Sequence, residues 1–118
     1  MTGEVTIYHN PRCSKSRATL ELLREQGIEP TIVDYLKTPP SQAELVRILN
    51  MLGMEPRELM RSKEAEYREQ DLGNPDLKQK DLVNAMHNTP KLIERPIVIA
   101  NGKAALGRPP EQVLEILD

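Results

Sequence analysis

The stretch Tyr8-His9-Asn10-Pro11-Arg12-Cys13-Ser14-Lys15-Ser16-Arg17 holds the only cysteine of the chain. It follows a short apolar run (Val5, Ile7, Tyr8) and opens a helical pattern. Cys13 is therefore expected where a strand ends and a helix begins. The unbonded N–H groups and the macrodipole of a helix start concentrate positive character at such a point. Arg12, Lys15 and Arg17 add cationic side chains nearby. These surroundings favour the thiolate, the nucleophilic form of cysteine. A buried structural cysteine, the commoner fate of a free thiol, would have apolar neighbours at strand or helix spacing. Cys13 has Pro11, Arg12, Ser14 and Lys15 instead. The pattern points to a reactive thiol.

From Ser14 to about Gln26 the sequence predicts a helix, with Ala18, Leu20, Leu22 and Leu23 on one broad side and Arg17, Glu21, Arg24 and Glu25 on the other. Gly27 ends it. Thr31–Tyr35 reads as a second strand, so the opening unit is strand–helix–strand, with parallel neighbours and a right-handed crossover. After Pro39-Pro40, Ser41-Gln42-Ala43-Glu44 reads as a capping box, followed by the apolar stripe Leu45, Ile48, Leu49 and Leu52, with Gly53 as the stop. Pro56 is expected to start a short helix through Met60. Residues 62–77 are charged and carry no regular period. Asp81–His87 is predicted helical, with Leu82, Val83 and Met86 inward and His87 placed to complement the dipole at the helix end. Pro96–Ala100 is a strand closed by Asn101-Gly102, a type I′ hairpin signal, and Lys103–Leu106 returns antiparallel. Pro109 or Pro110 starts a last helix with Val113, Leu114 and Leu117 expected inside.

This order, β-α-β, then helices, then β-β-α, is an α/β fold: a thioredoxin-like core with a helical insertion at about 41–88, in a single domain spanning 1–118. Cys13 falls on the turn after the first strand, where such folds carry their reactive sulfur. The usual Cys-x-x-Cys is here Cys13-Ser14-Lys15-Ser16, so Ser16 stands where a resolving cysteine would be.

Composition narrows the function. With 118 residues the chain fits one domain. A net charge of −2 gives no electrostatic reason to expect nucleic acid or an anionic membrane, and with no Phe or Trp and only three Tyr there is no base-stacking platform. One cysteine excludes an internal disulfide and argues for a reducing compartment, the cytoplasm. No leader pattern is evident at the N-terminus, and no apolar run approaches the ~18 residues of a membrane span. One Cys and two distant His lack metal-ligand spacing. The chain is expected to act as a monomer.

The sequence resembles the glutaredoxin-coupled arsenate reductases of the ArsC type over nearly its whole length. The resemblance lies in Ile7-Tyr8-His9-Asn10-Pro11-x-Cys13-x-x-Ser16-Arg17, Glu29-Pro30-Thr31-Ile32, Pro39-Pro40-Ser41, Leu59-Met60-Arg61, Arg95-Pro96-Ile97-Val98 and Arg108-Pro109. It implies that Cys13 attacks the arsenic of arsenate and that Arg61, Arg95 and Arg108 hold the oxyanion. That fits the preference of guanidinium forks for tetrahedral oxyanions. Asn10, Ser16, Arg17 and Pro96 are implied as supporting residues, with Pro96 matching a cis proline beside the sulfur. The longer members of the family carry a C-terminal extension beyond the length seen here. His9 reads in two ways: as an imidazolium or hydrogen-bond partner favouring the thiolate, or as a strand-end histidine exposed to water. Arg57 and Arg68 are expected to be solvated.

Because Ser16 is not a thiol, an external thiol must complete the cycle. Glutathione is the implied co-substrate and glutaredoxin the implied partner, with no bound cofactor. A phosphatase-type Cys-x5-Arg loop is excluded, since Thr19 stands at the sixth position after Cys13. The Spx-type regulatory relatives share the fold, but many carry a Cys-x-x-Cys switch that this chain lacks. An ArsC-like thiol protein acting on a substrate other than arsenate is the alternative reading.

Overall fold

The computed structural model describes residues 4–117, so the extreme ends of the expected 1–118 domain lie outside the described residues. Strand β1 (Thr6–His9) leads into helix α1 (Ser14–Glu25) and strand β2 (Thr31–Asp34). Helix α2 (Gln42–Leu52), the 3-10 turn Pro56–Leu59, the short helix α3 (Ala65–Glu69), helix α4 (Gln79–Asn88) and the 3-10 turn Pro90–Leu92 follow. Strands β3 (Ile97–Ala100) and β4 (Lys103–Leu106) and the 3-10 helix Pro110–Ile116 complete the chain. The fold divides into two compact units: one runs to Thr38 and resumes at Arg95, the other is Pro39–Glu94.

The first unit is a four-stranded sheet of order β2-β1-β3-β4. β1 pairs parallel with β2 and antiparallel with β3, and β3 pairs antiparallel with β4. This is the thioredoxin-like arrangement expected from the element order. The hairpin turn forms as its sequence dictates, with φ of 56° at Asn101 and 73° at Gly102. Val5, Ile7, Val98 and Ala100 from the sheet, Leu20 and Leu23 from α1, and Val113 and Ile116 from the last helix form one buried cluster.

Two helix faces differ from their sequence reading. α1 buries Ser16, Thr19, Leu20 and Leu23 and leaves Ala18 exposed. The i, i+3, i+4, i+7 stripe thus passes through two hydroxyl residues, which hydrogen bonding makes tolerable inside. The last helix is 3-10, with three residues per turn, so Val113 and Ile116 share its inner side while Leu114 is exposed.

The second unit packs α2 against α4 around Leu45, Ile48, Leu49, Leu82, Val83 and Met86, all buried. Ser41 Oγ accepts from Glu44 N at 3.1 Å, capping α2, and Gly53 ends it in the left-handed region at φ 67°. His87 lies in the last turn of α4, with Nδ1 2.8 Å from the Pro40 carbonyl. The charged stretch 62–77 contains α3, whose residues are all at least partly exposed. That stretch is tied down by Arg57, which donates from Nε to Leu72 O at 3.0 Å and from Nη2 to Asn74 O at 2.6 Å. Arg57 is therefore a structural brace, not the solvated side chain its sequence context suggests. Arg68 is exposed as expected. No helix among the described residues is long and apolar enough to cross a membrane.

Candidate functional site

The strand registers assemble one end of the sheet. His9 pairs with Asp34 across the parallel β1–β2 ladder. Tyr8 pairs with Ile97 and Ile97 with Leu106. Continuing these ladders by one residue sets Pro96 beside His9 and Gly107 beside Pro96, where Gly107 N donates to Pro96 O at 3.0 Å. Asp34, His9, Pro96 and Gly107 thus form a row at the sheet edge from which the Cys13 loop departs. Arg95 and Arg108 directly flank that row, each preceding a cis proline, Pro96 and Pro109. Arg108 Nη1 donates to Arg95 O at 3.1 Å, joining the two segments.

Cys13 is the N-cap residue of α1, in extended conformation, and its side chain makes no capping bond. Cys13 is a free cysteine at a partly exposed position. The turn before it is closed by Cys13 N donating to Asn10 O at 3.0 Å and by Arg12 N donating to Asn10 Oδ1 at 3.0 Å. Arg17, exposed on α1, reaches back from Nη1 to Pro11 O at 3.0 Å. Asn10 and Arg17 therefore shape the cysteine turn, one from each side.

His9 and Ser16 meet beneath this turn. Side chains alternate along a strand, so His9 points to the same face as Ile7, the face covered by α1. Ser16 is wholly buried and His9 is 7% exposed. Ser16 Oγ lies 2.7 Å from His9 Nδ1 and accepts from Asn10 N at 3.0 Å. Burial lowers the His9 pKa from its usual value, with Arg24 and Arg17 contributing in the same direction and Asp34 opposing. The neutral ring is the form the fold favours at neutral pH. The solvent-exposed strand end expected as one reading of His9 gives way to a buried hydrogen-bond partner of Ser16, because β1 carries the ring under α1.

Two residues of this region escaped the sequence reading. Thr19, wholly buried, donates from Oγ1 to Lys15 O at 2.8 Å, and its Oγ1 also lies 3.5 Å from Gly107 O. Gly107 packs so closely against Thr19 and Pro96 that a β-carbon built there would sit 2.8 Å from Pro96 Cγ and 3.0 Å from Thr19 Cγ2, and closer still to Thr19 Oγ1. This contact fixes the segment carrying Arg108 against the helix that Cys13 opens. The only signal in the sequence is a glycine between a strand and an Arg-Pro pair, which suggests a close approach without naming the partner.

Arg61 belongs to the other unit. Its backbone N donates to Leu92 O at 2.7 Å, and its guanidinium pairs with Glu64 at 2.9 Å and Glu94 at 3.7 Å. Among the described residues no three His, Cys, Asp or Glu side chains gather to hold a metal ion.

Comparison with known proteins places these residues in context. The model of the ArsC family matches residues 8–116. The chain is 59% identical over 118 residues to YfgD of Escherichia coli K12, a protein described as uncharacterized, with 99% of each chain covered. It is 52% identical over 115 residues to an arsenate reductase of Neisseria meningitidis serogroup B, covering 97% of this chain and 98% of that one. Among solved structures, an arsenate reductase from Vibrio cholerae superposes with a TM-score of 0.95 at 57% identity, covering 97% of this chain and 98% of the other.

Proposed function

The chain belongs to the ArsC family, and on that premise we propose that it reduces arsenate to arsenite, with Cys13 as nucleophile, glutathione as co-substrate and glutaredoxin as the thiol partner that resets it. The observation that carries this reading is the setting of Cys13. It is a lone cysteine, partly exposed as a residue, at the start of α1, on a turn whose backbone is held by Asn10, Arg17 and the buried His9–Ser16 pair. Relatives named arsenate reductase at 52–57% identity, matching over nearly the full length, support the substrate.

The chemistry follows from the thiol count. The Cys13 thiolate bonds to the arsenic of arsenate, and one oxygen leaves as water after protonation. Arg95 and Arg108 neutralise the repulsion between thiolate and oxyanion, and Arg61 is the third guanidinium the family resemblance assigns to that task. Glutathione thiolate then attacks the Cys13 sulfur. The S–As bond pair passes to arsenic, arsenite departs, and Cys13 is left in a mixed disulfide with glutathione. Arsenic gains two electrons and the two sulfurs lose one each. Ser16 has no thiol with which to resolve this disulfide, so the glutaredoxin thiolate attacks the glutathione sulfur and releases Cys13. Arsenate is the oxidant and thiols are the reductants, so this sequence of steps calls for no bound metal, flavin or nicotinamide. His9 acts through Ser16 to hold the Asn10–Cys13 turn in place. A reducing compartment, the cytoplasm, and a monomeric state fit this cycle.

Intact-mass spectrometry tests it. Incubation with arsenate and glutathione, without glutaredoxin, should leave one glutathione on Cys13, and added glutaredoxin should remove it. An arsenate-independent disulfide dimer with no glutathione adduct would overturn the cycle.

A further inference from the structure

Arg61 is engaged by acidic side chains. Its Nη1 lies 2.9 Å from Glu64 and its Nε lies 3.7 Å from Glu94. Lys91 lies 3.1 Å from Glu66 and 3.7 Å from Glu64, so Glu64 is shared between two cations. The arrangement is held by the backbone. Arg61 N donates to Leu92 O at 2.7 Å, Glu94 N donates to Leu59 O at 2.8 Å, and Met60 bridges to Ile93. Leu59, Met60, Leu92 and Ile93 are all buried, so this short ladder cannot slide to relieve the pairing.

We propose that Glu64, assisted by Glu94, is a specificity-determining clasp on Arg61: it competes with the oxyanion for the guanidinium and sets a weak affinity for multiply charged anions. The proposal rests on the reading of Arg61 as an oxyanion ligand. A guanidinium satisfies carboxylate and tetrahedral oxyanion with the same N–H fork. An anion must therefore either displace Glu64 or bind to the N–H groups left over, beside the Glu64 and Glu94 carboxylates. Both routes lower affinity, and both disfavour a dianion more than a monoanion.

The test is calorimetric titration of arsenate, and separately of sulfate, into the Cys13→Ser protein, which binds without turnover. Adding Glu64→Gln should tighten both anions by roughly 3- to 10-fold, the scale expected for loss of one partly exposed competing pair plus one nearby negative charge. Glu69→Gln removes the same charge from exposed α3, outside the cluster, and should leave affinity within about two-fold. Arg61→Ala should weaken binding and so reports separately on the reading beneath the proposal. If Arg61→Ala weakens binding while Glu64→Gln leaves it unchanged or weakens it too, the clasp is wrong and Arg61 remains a ligand. Equal tightening by Glu64→Gln and Glu69→Gln would replace the clasp with a diffuse field effect. Insensitivity to Arg61→Ala would remove Arg61 from the anion site and the clasp with it.

Discussion

Replacing Gly107 by alanine should damage this protein through one contact. The glycine carries no left-handed φ, so backbone conformation is not the obstacle. Space is. The added methyl would lie 2.8 Å from Pro96 Cγ and 3.0 Å from Thr19 Cγ2, and would press on Thr19 Oγ1. Pro96 is a rigid ring and Thr19 a β-branched residue in the middle of α1, so neither can swing aside cheaply. Overpacking of this kind costs about 1–3 kcal/mol, or a fall in Tm of roughly 4–15 °C for a chain of this size. Thr19→Ala alone should cost about 1 kcal/mol, since Oγ1 loses its bond to Lys15 O. The double variant discriminates. Two of the three nearest atoms belong to Thr19, so Thr19→Ala should relieve most of the strain of Gly107→Ala. Urea unfolding of the four proteins should give a double variant more stable than the sum of the singles by about 1 kcal/mol or more. Additivity within ~0.5 kcal/mol would refute the packing argument.

Three further outcomes follow from the same geometry. His9 has a pKa lowered by burial in the fold, while in the unfolded chain it titrates near 6.5. The unfolded state therefore binds more protons below that value, and stability should fall as pH drops from about 7.5 through 6.5 toward the lower folded value. His9→Asn, which keeps a hydrogen-bonding group near Ser16, should flatten this part of the profile; an identical slope in the variant contradicts the burial argument. Arg57→Ala should cost about 1–3 kcal/mol and speed proteolysis within 62–77, because Leu72 O and Asn74 O lose their donors; unchanged cleavage would show that other contacts hold the segment. Arg95→Leu and Arg108→Leu should each lower kcat/KM for arsenate by about 10–100-fold, the scale of one or two charge-assisted hydrogen bonds, with far-UV dichroism preserved. Unchanged kinetics in both would remove these arginines from the oxyanion site.

Much of the fold was legible because its signals are local. Ser41, Gly53 and Asn101-Gly102 mark a cap, a stop and a turn by their own chemistry, and each does so in the structure. The apolar residues of α2 and α4 repeat at helical spacing, and their inner faces follow. Two of the misreadings, the inner face of α1 and Arg57, share one cause, which is that tertiary contacts do not appear in a pattern of hydrophobicity. Ser16 and Thr19 look like surface residues and are buried, because His9, Asn10 and Lys15 supply hydrogen bonds from other turns and from β1. Arg57 looks solvated and is a brace, because its acceptors lie 15 and 17 residues away. Leu114 faces out because the last helix is wound with three residues per turn. The position of Cys13 at a helix start was evident from its neighbours; the buried pair supporting its turn was not. His9 and Ser16 are seven residues apart, and only the strand-to-helix reversal brings them together.

Turnover of arsenate by Cys13 with glutathione and glutaredoxin is the activity proposed for this chain. Its most direct test is arsenate-dependent oxidation of NADPH in a mixture of this protein, glutathione, glutaredoxin and glutathione reductase, with Cys13→Ser alongside. Steady NADPH consumption that requires arsenate, glutathione and glutaredoxin together, and is abolished by Cys13→Ser, is the expected result. Arsenate-independent consumption, or equal rates with Cys13→Ser, would contradict it.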